Sequence, residues 1–311
     1  MSLHSDVFGL GTLKWRMVFG DPRGAWGLIM AAKLLLIGIG PGGIPSMTVD
    51  ALNAAKSADH RRYEAYTALW SDENLNQLEN EIGPIEKVMR PEVEDPVEIL
   101  SLAKKSVVAL LIVGDPLQAT THTDLLLQAE EAGVDYQVIH GLSITGLVTG
   151  AVGLSNYKFG RQTTLTYPYG GWVATSPLEV IAMNRIQSMH TLVLLDLDPT
   201  GEGIGGQRPM QPKDALDSIL LMHKKLQDNL DSFEASNSLN SLRIEAYRTV
   251  CEQINSLHVV LCTDMGTPKQ SINYMPLHSL ADANNGGLHC LVVPGDLSDV
   301  EQKALARWTK E

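Results

Sequence analysis

The chain has no dense run of lysine and arginine, no paired-cysteine motif and no apolar stretch long enough to cross a bilayer. The first absence weighs against nucleic acid as a direct partner. Only 24 Lys plus Arg stand against 36 Asp plus Glu, a formal charge of −12, whereas nucleic-acid binders carry a basic footprint. The 3 cysteines, Cys251, Cys262 and Cys290, are odd in number, lack C-x-x-C spacing and sit in or beside apolar segments. That excludes a disulfide framework or zinc site and points to reduced, buried thiols of a cytoplasmic protein. The most apolar early stretch, LIMAAKLLLIGI (28–39), is shorter than the ~20 residues a spanning helix needs, and Lys33 interrupts it. No small-residue cleavage site follows before a Gly/Pro loop, so it fits a signal peptide no better. Chemistry has its absences too. No histidine pair has the i, i+4 spacing of a helical metal site, so no metal is expected. No G-x-S-x-G elbow organises a hydrolase, and no G-K-S/T completes a phosphate-binding P-loop.

What is present suits a globular α/β protein. With 311 residues, 44% apolar and 19% charged, the chain is long enough for two domains and not polar enough for long disorder. Apolar runs suited to buried strands recur at Leu34–Ile39, Val107–Val113, Tyr136–Ile139, Thr163–Tyr167, Thr191–Leu195, His258–Cys262 and His289–Val293. Segments of helical spacing lie between them: Thr48–Ser57, Pro96–Lys104, residues 123–132 ending at Gly133, Pro177–Ser188, Asp214–Asp228 and Leu239–Ser256. Alternating strands and helices predict layered α/β structure. Residues 198–213 carry four glycines and three prolines and read as a loop; residues 229–241, rich in Ser and Asn, read as a polar surface insertion. Residues 1–27 have little periodicity and read as an extension, with Met30 as a candidate original start. The predicted organisation is an N-terminal extension (1–32), an N-terminal α/β domain (33–140) and a C-terminal α/β domain (141–311).

Two stretches carry more polar or flexible residues than a simple turn requires. GIGPGG (38–43) follows the first predicted strand and precedes a helix, so it reads either as a ligand loop or as a tight strand-to-helix turn. GDPLQATTHTDL (114–125) follows VVALLIV. Its Gly-Asp-Pro makes a turn, and Thr121 with Asp124 is expected to form a capping pair, which leaves the ATTH block unexplained. The tripeptide recurs at Gly20-Asp21-Pro22 without those followers and is taken as a chance match. His122, His140, His190 and His289 flank predicted strands, where a histidine is more often structural than a ligand. Loops at strand ends are where α/β sheets bind ligands, and the residues alone lead no further than a two-domain α/β enzyme with such loops.

Several separated pieces, in order, resemble the diphthine synthases, a family in the tetrapyrrole-methylase class of S-adenosylmethionine-dependent methyltransferases. They are GIGPGGIPSMTVDAL, YEAYTALW, GDPLQATTHTDL, VIHGLSI, YKFGRQTTLTYP, NRIQSMHTLVLLDLD and LHCLVVPG, and they span about residues 33–295. The resemblance implies two αβα domains with the cofactor cleft between them, the polar 114–125 loop forming one wall. It assigns cofactor contact to Pro41, Asp115, Gln118, Ser143, Ile144, Leu195, Met265 and His289. Pro41 stands where the family often has leucine, Gln118 where a smaller apolar residue is common, and Asp264 where an arginine is typical. The reaction implied is methylation of the amino group of 3-amino-3-carboxypropyl-histidine on translation elongation factor 2, in diphthamide biosynthesis, with S-adenosylhomocysteine as by-product. A cytoplasmic homodimer is implied as well. The competing readings are a tetrapyrrole methyltransferase, since the glycine loop is common to the class, and a non-catalytic cofactor-binding protein, to which the departures at Gln118 and Asp264 would point.

Overall fold

Leu34–Ile37 and Val107–Ile112 are apolar at every position because both faces of their sheet are covered, as parallel sheets require. The computed structural model describes residues 33–283 and 286–309; the expected extension and Met30 lie outside the described residues. In the first half the elements run β1 (Lys33–Gly38), α1 (Val49–Ser57), β2 (His60–Glu64), α2 (Asp72–Ile82), β3 (Glu86–Val88), α3 (Arg90–Glu94), α4 (Val97–Ala103), β4 (Val107–Ile112), α5 (His122–Glu131) and β5 (Tyr136–Ile139). These strands form a five-stranded sheet, β3-β2-β4-β1-β5, with every pair parallel. Alternation divides the faces. Leu34, Leu36, Val108, Leu110 and Ile112 pack with Val93, Ile99, Leu125 and Ala129 of α3, α4 and α5. Leu35, Ile37, Ala109 and Leu111, which point the other way, are equally excluded from solvent, and α1 packs against β1 and β4.

The second half runs α6 (Ile144–Ala151), β6 (Thr163–Leu165), α7 (Ser176–Arg185), β7 (Thr191–Leu195), α8 (Pro212–Asn229), α9 (Ser238–Gln253), β8 (His258–Thr263), β9 (Ser271–Pro276), β10 (His289–Val293) and α10 (Asp299–Ala306). Its strands form a separate five-stranded sheet, β6-β7-β10-β8-β9. Only the β6–β7 pair is parallel. Val193, Leu195, Leu261, Leu291 and Val293 face α7, α8 and α9. Leu192, Val260, Cys262, Cys290 and Val292 face α6 and α10, with Val148, Val152 and Leu305. The chain is therefore mixed α/β with two sheets, and Gly141 lies in the connection between the last strand of one and α6.

Local expectations meet mixed outcomes. Thr48 caps α1, its hydroxyl accepting from Ala51 N at 3.0 Å. The expected Thr121–Asp124 capping pair does not form. Thr121 occupies the N-cap position of α5 without a side-chain cap, and the Asp124 carboxylate instead accepts from Gln128 Nε2 at 2.7 Å. The 229–241 insertion is shorter than expected, because α8 runs to Asn229 and α9 already begins at Ser238. The two helices absorb both ends of a segment whose Ser and Asn content suggests only loop. In the described residues, no helix is long and apolar enough to cross a membrane.

Candidate active site

At the carboxyl ends of β1, β4 and β5 three glycine backbones meet. A Cβ on Gly141 would lie 2.2 Å from Gly114 O, and one on Gly38 would lie 2.5 Å from Gly141 N. No side chain fits there. Gly40 and Gly114 exchange backbone hydrogen bonds of 3.2 and 3.1 Å, which ties the GIGPGG loop to the start of the 114–125 loop. The connections leaving the neighbouring strands β1 and β4 run toward opposite edges of the sheet. Open α/β sheets bind ligands in the crevice beside the strand ends at such a point. The glycine loop also meets the second half: a Cβ on Gly42 would stand 2.2 Å from Gly266 O.

A cleft of about 1240 Å³ opens at these strand ends, and all eight residues singled out from the sequence line it: Pro41, Asp115, Gln118, Ser143, Ile144, Leu195, Met265 and His289. They come from four connections, the first residue of α6 and the strands β7 and β10. The geometry of each says what it can offer. Asp115 is buried and already engaged, its Oδ1 accepting from Leu117 N at 2.9 Å and its Oδ2 from Gly141 N at 3.3 Å, with His140 Nδ1 at 2.8 Å. It clamps the end of β5 to the turn after β4. Gln118 Oε1 accepts from the Thr145 hydroxyl, and Ser143 caps α6 by accepting from Thr145 N at 3.2 Å, so these loops are stitched together. Pro41 rests against Gly266. Met265 is buried in a turn where Asp264 has φ 47° and Gly266 φ 83°. Asp264, the position expected to carry arginine, turns its carboxylate back to accept from Leu288 N at 2.9 Å.

The ATTH block is largely a structural clamp. Ala119 sits at φ 57°, a left-handed conformation costing an L-residue roughly 1–2 kcal/mol. Thr120 holds the loop by donating to Pro116 O at 2.9 Å. His122 is buried, with Nδ1 3.0 Å from the same carbonyl; burial lowers its pKa, so the ring stays neutral and donates from Nδ1.

His289 differs. Its Nδ1 lies 3.0 Å from Thr263 Oγ1 across the β8–β10 pair, while its buried Nε2 has no hydrogen-bond partner among the described residues. Burial lowers its pKa first, offset in part by the Asp264 carboxylate and the Gly286 backbone. The ring is therefore neutral, and its Nε2, unpaired among the described residues, belongs to a residue that lines the cleft. Among the described residues no cluster of His, Cys, Asp and Glu could hold a metal. Cys251, Cys262 and Cys290 are free and buried.

Residues 33–220 match the family model of Tetrapyrrole (Corrin/Porphyrin) Methylases. The chain is 34% identical over 278 residues to the diphthine synthase of Halorubrum lacusprofundi, covering 88% of this chain and 95% of the relative. It belongs to the diphthine synthase family of tetrapyrrole methylases. A diphthine synthase of Methanoregula boonei is 31% identical over 277 residues, covering 88% of this chain and 98% of its own length. A crystal structure of diphthine synthase superposes with a TM-score of 0.71 at 27% identity, over 89% of this chain and 95% of that one. Family membership makes the chain a methyltransferase. Tyr66, Thr67 and Arg90 line the cleft as well; Tyr66 and Thr67 lie in YEAYTALW, one of the stretches that carry the resemblance, which assigned neither a role.

Proposed function

We propose that the chain is an S-adenosylmethionine-dependent diphthine synthase that methylates the amino group of 3-amino-3-carboxypropyl-histidine on translation elongation factor 2. The observation that carries this reading is the convergence of eight family-matched positions, from Pro41 to His289, on one cleft at the carboxyl ends of the first sheet. The cleft suits an adenosyl amino acid: the unpaired His289 Nε2 offers a hydrogen bond, Met265, Ile144 and Leu195 offer apolar surface, and a Cβ on Gly114 would meet nothing within 4 Å, leaving room for close backbone approach. S-adenosylmethionine, when bound among these residues, would supply an electrophilic methyl group for the acceptor amine. The work of these residues is positioning. Asp115 fixes the relation of the loops after β4 and β5, Gln118 and Ser143 hold the start of α6, and the glycine contacts keep the loop walls at backbone distance. Alignment of this kind is worth an effective molarity of ~10⁵–10⁸ M, so a displacement by a neutral amine needs no catalytic triad.

In this reading residues 33–140 and 141–311 are two lobes, and the enzyme works as a cytoplasmic homodimer. Sedimentation at micromolar concentration tests the dimer. Calorimetric titration with S-adenosylhomocysteine tests the cofactor site, and transfer of labelled methyl to elongation factor 2 bearing the precursor tests the acceptor. Binding without transfer to that acceptor, but with transfer to a porphyrinoid, would assign the tetrapyrrole reaction instead.

A further inference from the structure

In the same region of the fold, three buried polar atoms lack a hydrogen-bond partner among the described residues: Glu64 Oε2, the Tyr66 hydroxyl and Arg90 Nε. Buried polar groups are nearly always paired, so a cluster of unpaired ones needs a reason. The groups belong together. Arg90 lies over the Tyr66 ring, 5.3 Å from guanidinium carbon to centroid, and its charge acts on both Tyr66 and Glu64. Tyr66 is 7% exposed and Glu64 0%. Tyr66, Thr67 and Arg90 line the cleft, while Glu64 stands behind Thr67 and accepts from its backbone N at 2.8 Å and from its hydroxyl. The second half helps to place the arginine. Asp198 accepts from Gly203 N at 2.7 Å, and Gly203 O in turn accepts from Arg90 N at 3.1 Å. At about 1240 Å³ the cleft exceeds the ~300–1,000 Å³ of a site for one small ligand. This corner is built on the turn after β2 and on α3, elements that carry none of the residues assigned to the cofactor.

We propose that this corner receives the α-amino-acid end of the acceptor: Arg90 and the Tyr66 hydroxyl hold its carboxylate, and Thr67, backed by Glu64, takes a proton from its ammonium group. The assignment rests on the acceptor proposed above. Arginine and a phenol hydroxyl are natural donors to a carboxylate. The amine must be neutral to attack a methyl group, so one ammonium N–H bond has to break. Its proton passes to Thr67 Oγ1 as the Thr67 hydroxyl proton passes to the Glu64 carboxylate. The nitrogen keeps the electron pair, and ammonium plus carboxylate become amine plus carboxylic acid. Burial pushes the Glu64 carboxyl up to about 7, against hydrogen bonds from Thr67 and the Tyr66 backbone and the charge of Arg90. The ammonium of an α-amino acid is far less acidic than an ordinary glutamic acid, which titrates near ~4.3, so raising the Glu64 carboxyl brings donor and acceptor closer and makes the transfer less steeply uphill. The titratable groups around Glu64 are Tyr63 on its own strand, Tyr66 on the following turn and Arg90 on α3. Both tyrosines are pushed upward by burial and stay neutral near pH 7. Glu64 is thus the positioning and proton-accepting group, acting through Thr67.

The test uses the full chain saturated with S-adenosylhomocysteine, and elongation factor 2 carrying the 3-amino-3-carboxypropyl-histidine as the probe. Arg90→Met and Tyr66→Phe should each weaken binding of that acceptor by about 10-fold or more, the worth of a hydrogen bond to a charged group, with affinity for S-adenosylhomocysteine held within about twofold. Arg90→Lys should recover part of the loss. Glu64→Gln should leave acceptor binding in place and abolish the rise in kcat/KM through pH about 7 expected of the wild type. Thr67→Val should act on the same pH limb, while Thr67→Ser keeps it, which separates relay from folding damage. Unchanged acceptor affinity in Tyr66→Phe and Arg90→Met, an equal loss of S-adenosylhomocysteine affinity, or a pH limb that survives Glu64→Gln would each overturn the assignment while the wild type still turns over. A wild type that binds S-adenosylhomocysteine but neither binds nor methylates this acceptor would overturn the proposed function and the corner with it.

Discussion

Replacing His289 by alanine separates a packing role from a ligand role, because the two have opposite consequences here. In the free protein the buried Nε2 has no partner among the described residues, which costs about 1–3 kcal/mol. Deleting the ring removes that penalty. It also removes the 3.0 Å contact with Thr263, worth about 1 kcal/mol. The two terms oppose, so the thermal midpoint should move little. Ligand binding has no such compensation. A lost hydrogen bond of about 0.5–1.5 kcal/mol weakens S-adenosylhomocysteine binding by roughly 2- to 13-fold. Because burial lowers the His289 pKa, the ring is neutral above about pH 6.5, and the affinity deficit should be flat from there to mildly alkaline pH. Calorimetric titration of wild type and His289→Ala, with a melting curve on each, reads both quantities. A well-folded variant with wild-type affinity would refute the ligand role, and a large fall in midpoint with affinity unchanged would assign the ring to packing.

Gly141→Ala places a Cβ 2.2 Å from Gly114 O, and forcing apart backbone at three strand ends should cost at least about 3 kcal/mol. At about 2–4 °C per kcal/mol for a domain of this size, scanning calorimetry should register a fall of roughly 6 °C or more; Gly146→Ala, exposed within α6 and with nothing within 4 Å of the added carbon, should do the reverse by about 0.5–1 kcal/mol. The buried carboxylate of Glu301 faces His190 at 3.0 Å and Lys158 at 2.9 Å, so Glu301→Ala should cost about 3–5 kcal/mol in urea unfolding. Burial alone would raise the Glu301 pKa, but hydrogen bonds from Lys158, Ser298, Ser155 and His190 hold it well below the ordinary carboxylate range. That stabilisation is present above the unfolded pKa near ~4.3 and is lost as pH falls toward the folded value. Burial lowers the His190 pKa, so the same acid-side loss starts below about 6.5. Urea midpoints should therefore drop first between about pH 6.5 and 4.5, through His190, and again below about pH 4, through Glu301; only the second drop should shrink in Glu301→Gln, and equal drops below pH 4 in both proteins would contradict the assignment to Glu301.

Continuous apolar strands were readable because a doubly covered sheet leaves no polar position to hide them: VVALLI and KLLLIG are recognisable at sight. The strands that escaped are those whose pairing, not whose residues, makes them strands. β2 is HRRYE, yet it lies inside the sheet between β3 and β4. Arg62 is kept there by Glu86 and Glu98, and Glu64 by Thr67. β3 has only three residues, and β9 is an edge strand. Helix α6, ITGLVTGA, carries two glycines and two β-branched threonines, so propensity argues against it; Ser143 starts it and the packing of Val148 holds it. The candidate site was legible through family motifs rather than through periodicity. Asp115, Ser143 and His289 lie far apart in the chain and meet only because strand ends converge. What stayed hidden was the Glu64–Tyr66–Arg90 corner, since a buried carboxylate behind a threonine leaves no spacing signature.

The most direct measurement is methyl transfer to the acceptor itself. Purified chain, S-adenosylmethionine and elongation factor 2 bearing 3-amino-3-carboxypropyl-histidine are mixed, and the modified histidine peptide is read by mass spectrometry. Whole methyl increments on that amino group, absent without the chain and reduced in His289→Ala at limiting cofactor, are the expected result. An unmodified acceptor, in the presence of folded protein that binds S-adenosylhomocysteine, would contradict it.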